Sequence, residues 1–371
     1  MSSPTVWEEI QTLPVFDTHT HLETSARVGA TDFFDIAHYF WFRRELEAAG
    51  YPRNAEELPS AQRFAAFKAA YGSARNTSWA GMVRRMIRDL YRIDIADGDG
   101  PERADSAIRE RAEDAAWPQE VCRRVGIRRI VTGLNEPNDL ARLGGAVHHV
   151  PVYTRKPAEI VERVRATPNQ RESAEAVARE IESAVAELAE AGHRSVRVDW
   201  PFEGLGNDVH EPREPDSQGT PSETIRRFLG HRMLTAASEH RLHLQVFVGM
   251  LRLDGPGAAG GYRSTSGLSR STSLDDPKRI VDMHDIFDMY PGIDFELINA
   301  AGGSALDIVQ AARIYPNVYP GGLWWFNFRA STYRANMQYR LEALPAGRAP
   351  MVASDARHIE WAYTKVLFIK M

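Results

Sequence analysis

Eight short apolar runs alternate with helical segments along this chain, and that alternation constrains the fold more than any other feature. The runs are Val15–His19, Arg129–Gly133, Val147–Tyr153, Ser195–Asp199, His243–Met250, Asp294–Ile298, Val318–Trp324 and Met351–Ser354. Parallel strands cannot be joined by tight hairpins and need a crossover, usually a helix, so strands that alternate with helices predict a parallel α/β sheet. Eight repeats predict a closed (β/α)8 TIM-type barrel. A length of 371 residues accommodates one such barrel over 1–371 or two smaller domains, and the strand count selects the single domain.

Local signals support the helices independently. Glu172–Ala191 carries Val177, Ile181, Val185 and Leu188 along one face. Thr220-Pro221-Ser222-Glu223 reads as an N-cap, a proline at the first helical position and a closing glutamate. Two stretches depart from the alternation. Residues 32–116 read as a helical insertion after the first strand. Residues 254–276 are too rich in glycine and serine for a core element, and their place after a strand's C-terminal end is compatible with a lid or with a passive loop. The helix after the last strand is expected to be short.

Charge and composition narrow the partners. The 45 basic and 50 acidic side chains form no long single-sign run, which argues against nucleic acid or a membrane surface and leaves small solutes. No stretch reaches the ~20 apolar residues of a membrane span, and the first residues carry acids where a signal peptide carries cations. The one cysteine, Cys122, excludes an internal disulfide and fits a packing role in a reducing compartment. A cytoplasmic location is therefore expected, and homo-oligomerisation is left open.

The chemistry begins at VFDTHTHLE, where His19 and His21 lie two positions apart. In an extended segment such residues share a face, so both imidazoles can converge on one divalent ion if a third ligand comes from elsewhere. Asp355 ends the last apolar run, which in a closed barrel lies beside the first, and barrel sites are built from the C-terminal ends of strands. The alternative for Asp355 alone is that of a cap on the following helix.

These residues carry a family resemblance. DTHTHL at the first strand and SDARHIEW (Ser354–Trp361) at the last resemble the amidohydrolase superfamily, and AHYFWFRRELEAAG (Ala37–Gly50) and GLWWFNFRASTYRANMQ (Gly322–Gln338) are similar to segments of its uronate isomerase branch. TGLNEPNDL, VPVYTRKPA, SVRVDW and LQVFVGMLR match further segments more weakly, in order along nearly the whole chain. The resemblance implies His19, His21 and Asp355 as ligands of one divalent metal ion. Imidazole and carboxylate donors suit zinc, with manganese or iron as alternatives. It implies His38, Tyr39, Arg155, Arg357 and Trp324 or Trp325 as residues lining the substrate pocket; the chemistry of the reaction makes Asp355 or Tyr39 the candidate to move the proton and Arg357 the candidate to offset developing negative charge. The implied activity is aldose–ketose isomerisation of a hexuronate such as D-glucuronate or D-galacturonate through an enediolate.

This chain also departs from the family pattern. Phe247 stands where the fifth strand has histidine, Asn135-Glu136 replaces two aspartates, and SVRVDW lacks a histidine. A metal-dependent hydrolase or lyase acting on a small carboxylated substrate is the alternative reading, but binuclear hydrolases of the superfamily recruit a lysine from the fourth strand and histidines from the fifth and sixth. SVRVDW contains no lysine and QVFVGM no histidine, and His243, earlier in the fifth strand, is expected at the wrong end. A non-catalytic sugar-acid binder is a third reading, against which three convergent metal donors argue.

Overall fold

The computed structural model describes residues 5–22, 27–134, 141–144, 148–155, 163–164, 166–198, 205, 221–252, 271–273, 278–323 and 328–371. Among them are nine strands: β1 (Val15–Asp17), β2 (Ile127–Thr132), β3 (His148–Arg155), β4 (Ser195–Val198), β5 (His243–Val248), β6 (Met250–Arg252), β7 (Ser271–Ser273), β8 (Asp294–Asn299) and β9 (Val318–Leu323). Seven of them form one sheet in the order β1-β2-β3-β4-β5-β8-β9, and every pairing in it is parallel. The expected alternation is present: helices Gln170–Glu190, Pro221–Glu239 and Ser304–Ile314 each lie between consecutive strands of the sheet. All four residues of β4 and the last five of β8 are buried, as they must be in strands covered on both faces.

The eighth expected strand, Met351–Ser354, is not a regular strand. Its backbone instead pairs with the continuation of β1. Thr18 N donates to Val352 O at 3.1 Å, Asp355 N to His19 O at 2.8 Å and His21 N to Ala356 O at 2.8 Å, and Thr20 and Ala356 form a parallel bridge. Asp355 has φ of 51°, a left-handed conformation that breaks the extended pleat. On the other side of the run, Gly322 of β9 lies so close to Ala353 that a Cβ on the glycine would fall 2.0 Å from the alanine's. The buried Arg340 donates from Nη1 to both Pro320 O and Pro350 O at 2.9 Å, tying β9 to the same run.

The run His243–Met250 also differs from expectation, because it divides into β5 and β6 at Gly249. That residue has φ of 78°, and a Cβ there would lie 2.6 Å from the Cβ of Ala301. Of the Gly/Ser-rich stretch 254–276, Ser271–Ser273 forms β7 and pairs antiparallel with β6. The rest lies outside the described residues, and with it the lid reading.

Between β1 and β2 the chain is helical: Phe33–Ala37, Phe40–Ala48, Ser60–Ala74, Ser78–Tyr91, Gly100–Ala112 and Trp117–Val125. The helix Ser78–Tyr91 illustrates why. Thr77 caps its N-terminus by accepting from Ala80 N, and Trp79, Met82, Val83, Met86, Ile87 and Leu90 are buried at helical spacing. One apolar core joins these helices to Val15, Ile127, Ile130 and the last helix, with Cys122 inside it. That last helix, Ile359–Lys370, has 12 residues and is a full crossover-length element rather than the short stub expected. Among the described residues no helix is long and apolar enough to cross a membrane.

Candidate metal centre

The parallel pairing of residues 18–21 with 352–356 sets the first and last chemistry-bearing segments side by side. His19 Nε2 and His21 Nε2 each lie 3.3 Å from Asp355 Oδ1, and the two rings stand perpendicular with centroids 4.9 Å apart. One donor atom from each of the three residues falls within 4.8 Å of the others. The left-handed backbone at Asp355 turns its carboxylate onto the histidines, so a backbone irregularity serves the site. His19 and Asp355 are buried, while the His21 side chain is 27% exposed.

The donor set fits a divalent cation. His19 Nε2 and Asp355 Oδ1 are both buried and neither makes a hydrogen bond of acceptable geometry, although each faces the other two donors. Burial, reinforced by the Arg197 charge, lowers the His19 pKa to about 4, so near neutral pH the ring is the neutral imidazole that ligation needs. Burial opposes ionisation of Asp355, but the close approach of the His19 and His21 rings and the Lys365 charge hold its carboxyl far below the usual range. Arg197 of β4 donates from Nη2 to Thr20 O at 2.6 Å and brings Nη1 to 3.3 Å from His21 Nδ1. Ligation through His21 Nε2 therefore requires Arg197 Nη1 to release Nδ1, which must carry the ring proton.

Around this centre, Tyr39 lies between two short helices, its hydroxyl 3.2 Å from Asp355 O and 3.4 Å from Asp355 Oδ2. Burial, then the Asp355 charge, pushes its phenol well above the ordinary range, so it stays protonated. Lys365, fully buried on the last helix, donates to the Tyr39 hydroxyl at 2.8 Å and to Asp355 O at 3.2 Å, amid the rings of Tyr39, Trp79, Phe328 and Trp361. Burial lowers its pKa to about 8.

A cavity of about 360 Å³ opens beside Tyr39, lined also by His38, Arg43, Arg63 and Arg357. The Arg357 guanidinium lies 5.2 Å from the centroid of the Phe40 ring. Phe247 packs edge-on against His19 at 5.3 Å. It makes that side of the centre apolar.

The structure thus brings together His19, His21, Asp355 and Tyr39, with His38 and Arg357 at the adjoining cavity. Arg155 ends β3, but its side chain, like Trp324 and Trp325, lies outside the described residues. Sequence reasoning missed Lys365, Arg197, Gln245 and Glu296. A lysine within the apolar helix WAYTKVLFIK, in a chain with only five lysines, was the available signal for the first of these.

His38 gives the site a pH signature. Its Nε2 lies 2.9 Å from Tyr51 Oη, and burial, then the charges of Arg43 and Arg63, lowers its pKa from 6.5 to about 3. The folded state keeps this ring neutral while the unfolded chain protonates it below pH 6.5, so it disfavours folding increasingly as pH falls from 6.5 towards 3. The variant His38→Gln should therefore lose less thermal stability than the wild type across that window, and parallel melting curves from pH 7 to 4 would check it.

No protein-family model matches the chain, and no curated protein sequence matches it. Its fold does match solved structures. A uronate isomerase from Thermotoga maritima superposes with a TM-score of 0.73 at 15% identity, covering 98% of this chain and 87% of that one. A uronate isomerase from Bacillus halodurans C-125 gives 0.71 at 14%, covering 98% and 85%. A glucuronate isomerase from Caulobacter crescentus gives 0.70 at 14%, with the same coverage. At these identities the likeness is one of fold.

Proposed function

We propose that this chain is a metal-dependent hexuronate isomerase built on one (β/α)8 barrel, in which residues 351–355 take the place of the eighth strand and residues 32–116 are an insertion that walls the site. The observation that carries this reading is the convergence of His19, His21 and Asp355 on one point beside Tyr39, in a chain whose fold matches uronate isomerases over nearly its whole length.

The reaction needs a proton removed next to a carbonyl and returned to the neighbouring carbon. A divalent ion held by His19, His21 and Asp355, zinc by the nature of the donors with manganese or iron as alternatives, would supply Lewis-acid polarisation of substrate oxygens. Asp355 divides its two oxygens: Oδ1 faces the histidines, while Oδ2 faces the Tyr39 hydroxyl and is the atom assigned to carry the proton. Tyr39, kept protonated and fixed by Lys365, donates a hydrogen bond at that oxygen. Arg357 offsets the enediolate charge, and His38 borders the space for the sugar. Arg155 is assigned the substrate carboxylate as a bidentate partner, and Trp324 and Trp325 the remaining wall. The substrate is a small sugar acid, with neither nucleic acid nor membrane as partner and the cytoplasm as the expected setting.

The test is an isomerase assay over a panel of hexuronates, with metal content measured on the same sample. Turnover of glucuronate or galacturonate with one bound metal supports the reading. Metal with hydrolysis only would move the chain to the hydrolases, and no metal and no turnover to the sugar-acid binders. Within the isomerase, Arg357→Lys should retain metal while lowering kcat on the order of 10²-fold, because a point charge does not reproduce the planar guanidinium fork. Loss of metal in that variant would reassign the residue.

A further inference from the structure

Behind His19 a chain of hydrogen bonds, buried at Gln245 and Glu296 and part-buried towards His243, runs along the sheet. Glu296 of β8 accepts from Thr18 Oγ1 at Oε1 (2.8 Å) and from Gln245 Nε2 at Oε2 (2.8 Å), and His243 Nε2 lies 3.3 Å from Oε2. Gln245 Nε2 donates its other proton to Thr18 O. At the far end His243 Nδ1 is 2.6 Å from Ser195 Oγ. Ser195, His243 and Glu296 have the composition of a nucleophile triad, but Ser195 is buried and so serves as the anchor of the chain.

The donor and acceptor roles along this chain are forced. A backbone carbonyl and a carboxylate only accept, so both neighbours on one side of the Gln245 amide demand its nitrogen. Its oxygen is thereby turned to His19, with Oε1 3.3 Å from Nδ1. An amide oxygen only accepts, so Nδ1 must carry the ring proton and Nε2 is left bare. That same Nε2 is the buried atom with no hydrogen bond that faces His21 and Asp355. Gln245 and Glu296 are both buried, so water does not compete for these contacts.

We infer that Gln245 and Glu296 are positioning residues that lock His19 in the Nδ1–H tautomer and so hold its bare Nε2 ready for a divalent cation. The inference rests on the reading of His19, His21 and Asp355 as a metal centre. It assigns the two residues a role sequence motifs do not reveal: orienting a ligand by relaying the acceptor character of a carboxylate through an amide.

The experiment is zinc binding by chelator competition on the full-length protein, for the wild type, Gln245→Met, Glu296→Gln and Ser195→Ala. Gln245→Met removes the acceptor. Glu296→Gln places a donor where only acceptors stood, which lets the Gln245 amide reverse. Each should weaken zinc binding on the order of 10–100-fold, while Ser195→Ala stays within about twofold. Zinc affinity unchanged in both Gln245→Met and Glu296→Gln overturns the inference, as does an equal loss in Ser195→Ala.

A second measurement holds even if a variant fails to fold or the wild type binds no zinc: ¹⁵N imidazole NMR of the wild type before and after chelation, with His19 assigned by its loss in His19→Asn. A proton on Nδ1 and a bare Nε2 after chelation support the lock, and a proton on Nε2 refutes it. A wild type that binds no zinc would fail the metal reading separately, and hexuronate turnover is read in neither measurement.

Discussion

Asp355→Asn is expected to abolish turnover and to weaken metal retention in the same protein. The substitution keeps the size of the side chain and removes its charge, so the backbone pairing of Asp355 N with His19 O has no reason to change. Two functions are lost at once. Oδ1, now part of a neutral amide, no longer offers an anionic donor between His19 and His21, and Oδ2 can no longer take a proton beside Tyr39. Loss of proton transfer alone lowers kcat on the order of 10²–10⁴-fold, and loss of metal deepens the effect. Full activity in this variant would refute the proposed site. Retained metal with abolished turnover would separate the proton role from the ligand role.

The second large effect is on stability and lies at Glu360. Its carboxylate is fully buried on the first turn of the last helix, where the helix dipole favours an anion, and it accepts from Ala30 N at 3.0 Å, Trp117 Nε1 at 2.9 Å and Tyr91 Oη at 3.1 Å. These donors come from three places in the chain between β1 and β2, so one side chain fastens that region to the helix that follows Asp355. Glu360→Ala leaves two buried donors and the part-buried Tyr91 hydroxyl unsatisfied at roughly 1–3 kcal/mol each, a total of about 3–9 kcal/mol that is a large share of the stability of a typical domain. Urea unfolding should show the midpoint falling accordingly, and a change under about 1 kcal/mol would mean that the contacts are not made. Because Tyr39 packs on Trp361, the neighbour of Glu360, with centroids 4.5 Å apart, the variant should also lower kcat.

How much of this was legible in the sequence varies from element to element. The strands of the sheet were readable because strands covered on both faces become continuous apolar runs, and seven of the eight expected runs contain a strand of the parallel sheet. The convergence of His19, His21 and Asp355 was readable because a two-residue spacing and parallel neighbours are geometric facts of extended chains. The irregular last run was not, since nothing in VASDAR announces an aspartate in the left-handed region, a conformation more usual for glycine or asparagine. Nor was the pairing of Met250–Arg252 with Ser271–Ser273, which a Gly/Ser-rich composition conceals.

The polar residues behind the site escaped for a different reason. Gln245 and Glu296 sit in runs that read as apolar strands, where a polar residue looks like a face exposed to solvent. Only the fold reveals that their side chains meet Thr18, His243 and each other in the interior. Lys365 is similar: its charge is sheltered by rings from Tyr39, Trp79, Phe328 and Trp361, which are distant in sequence. Pattern reading locates groups by periodicity, whereas these roles depend on contacts across the whole chain.

The most direct measurement is anomalous diffraction at the absorption edge of the metal that purifies with the protein. A single peak in contact with the side chains of His19, His21 and Asp355 is the predicted result. A peak held by other residues, or none in protein that turns over hexuronates, would contradict the account.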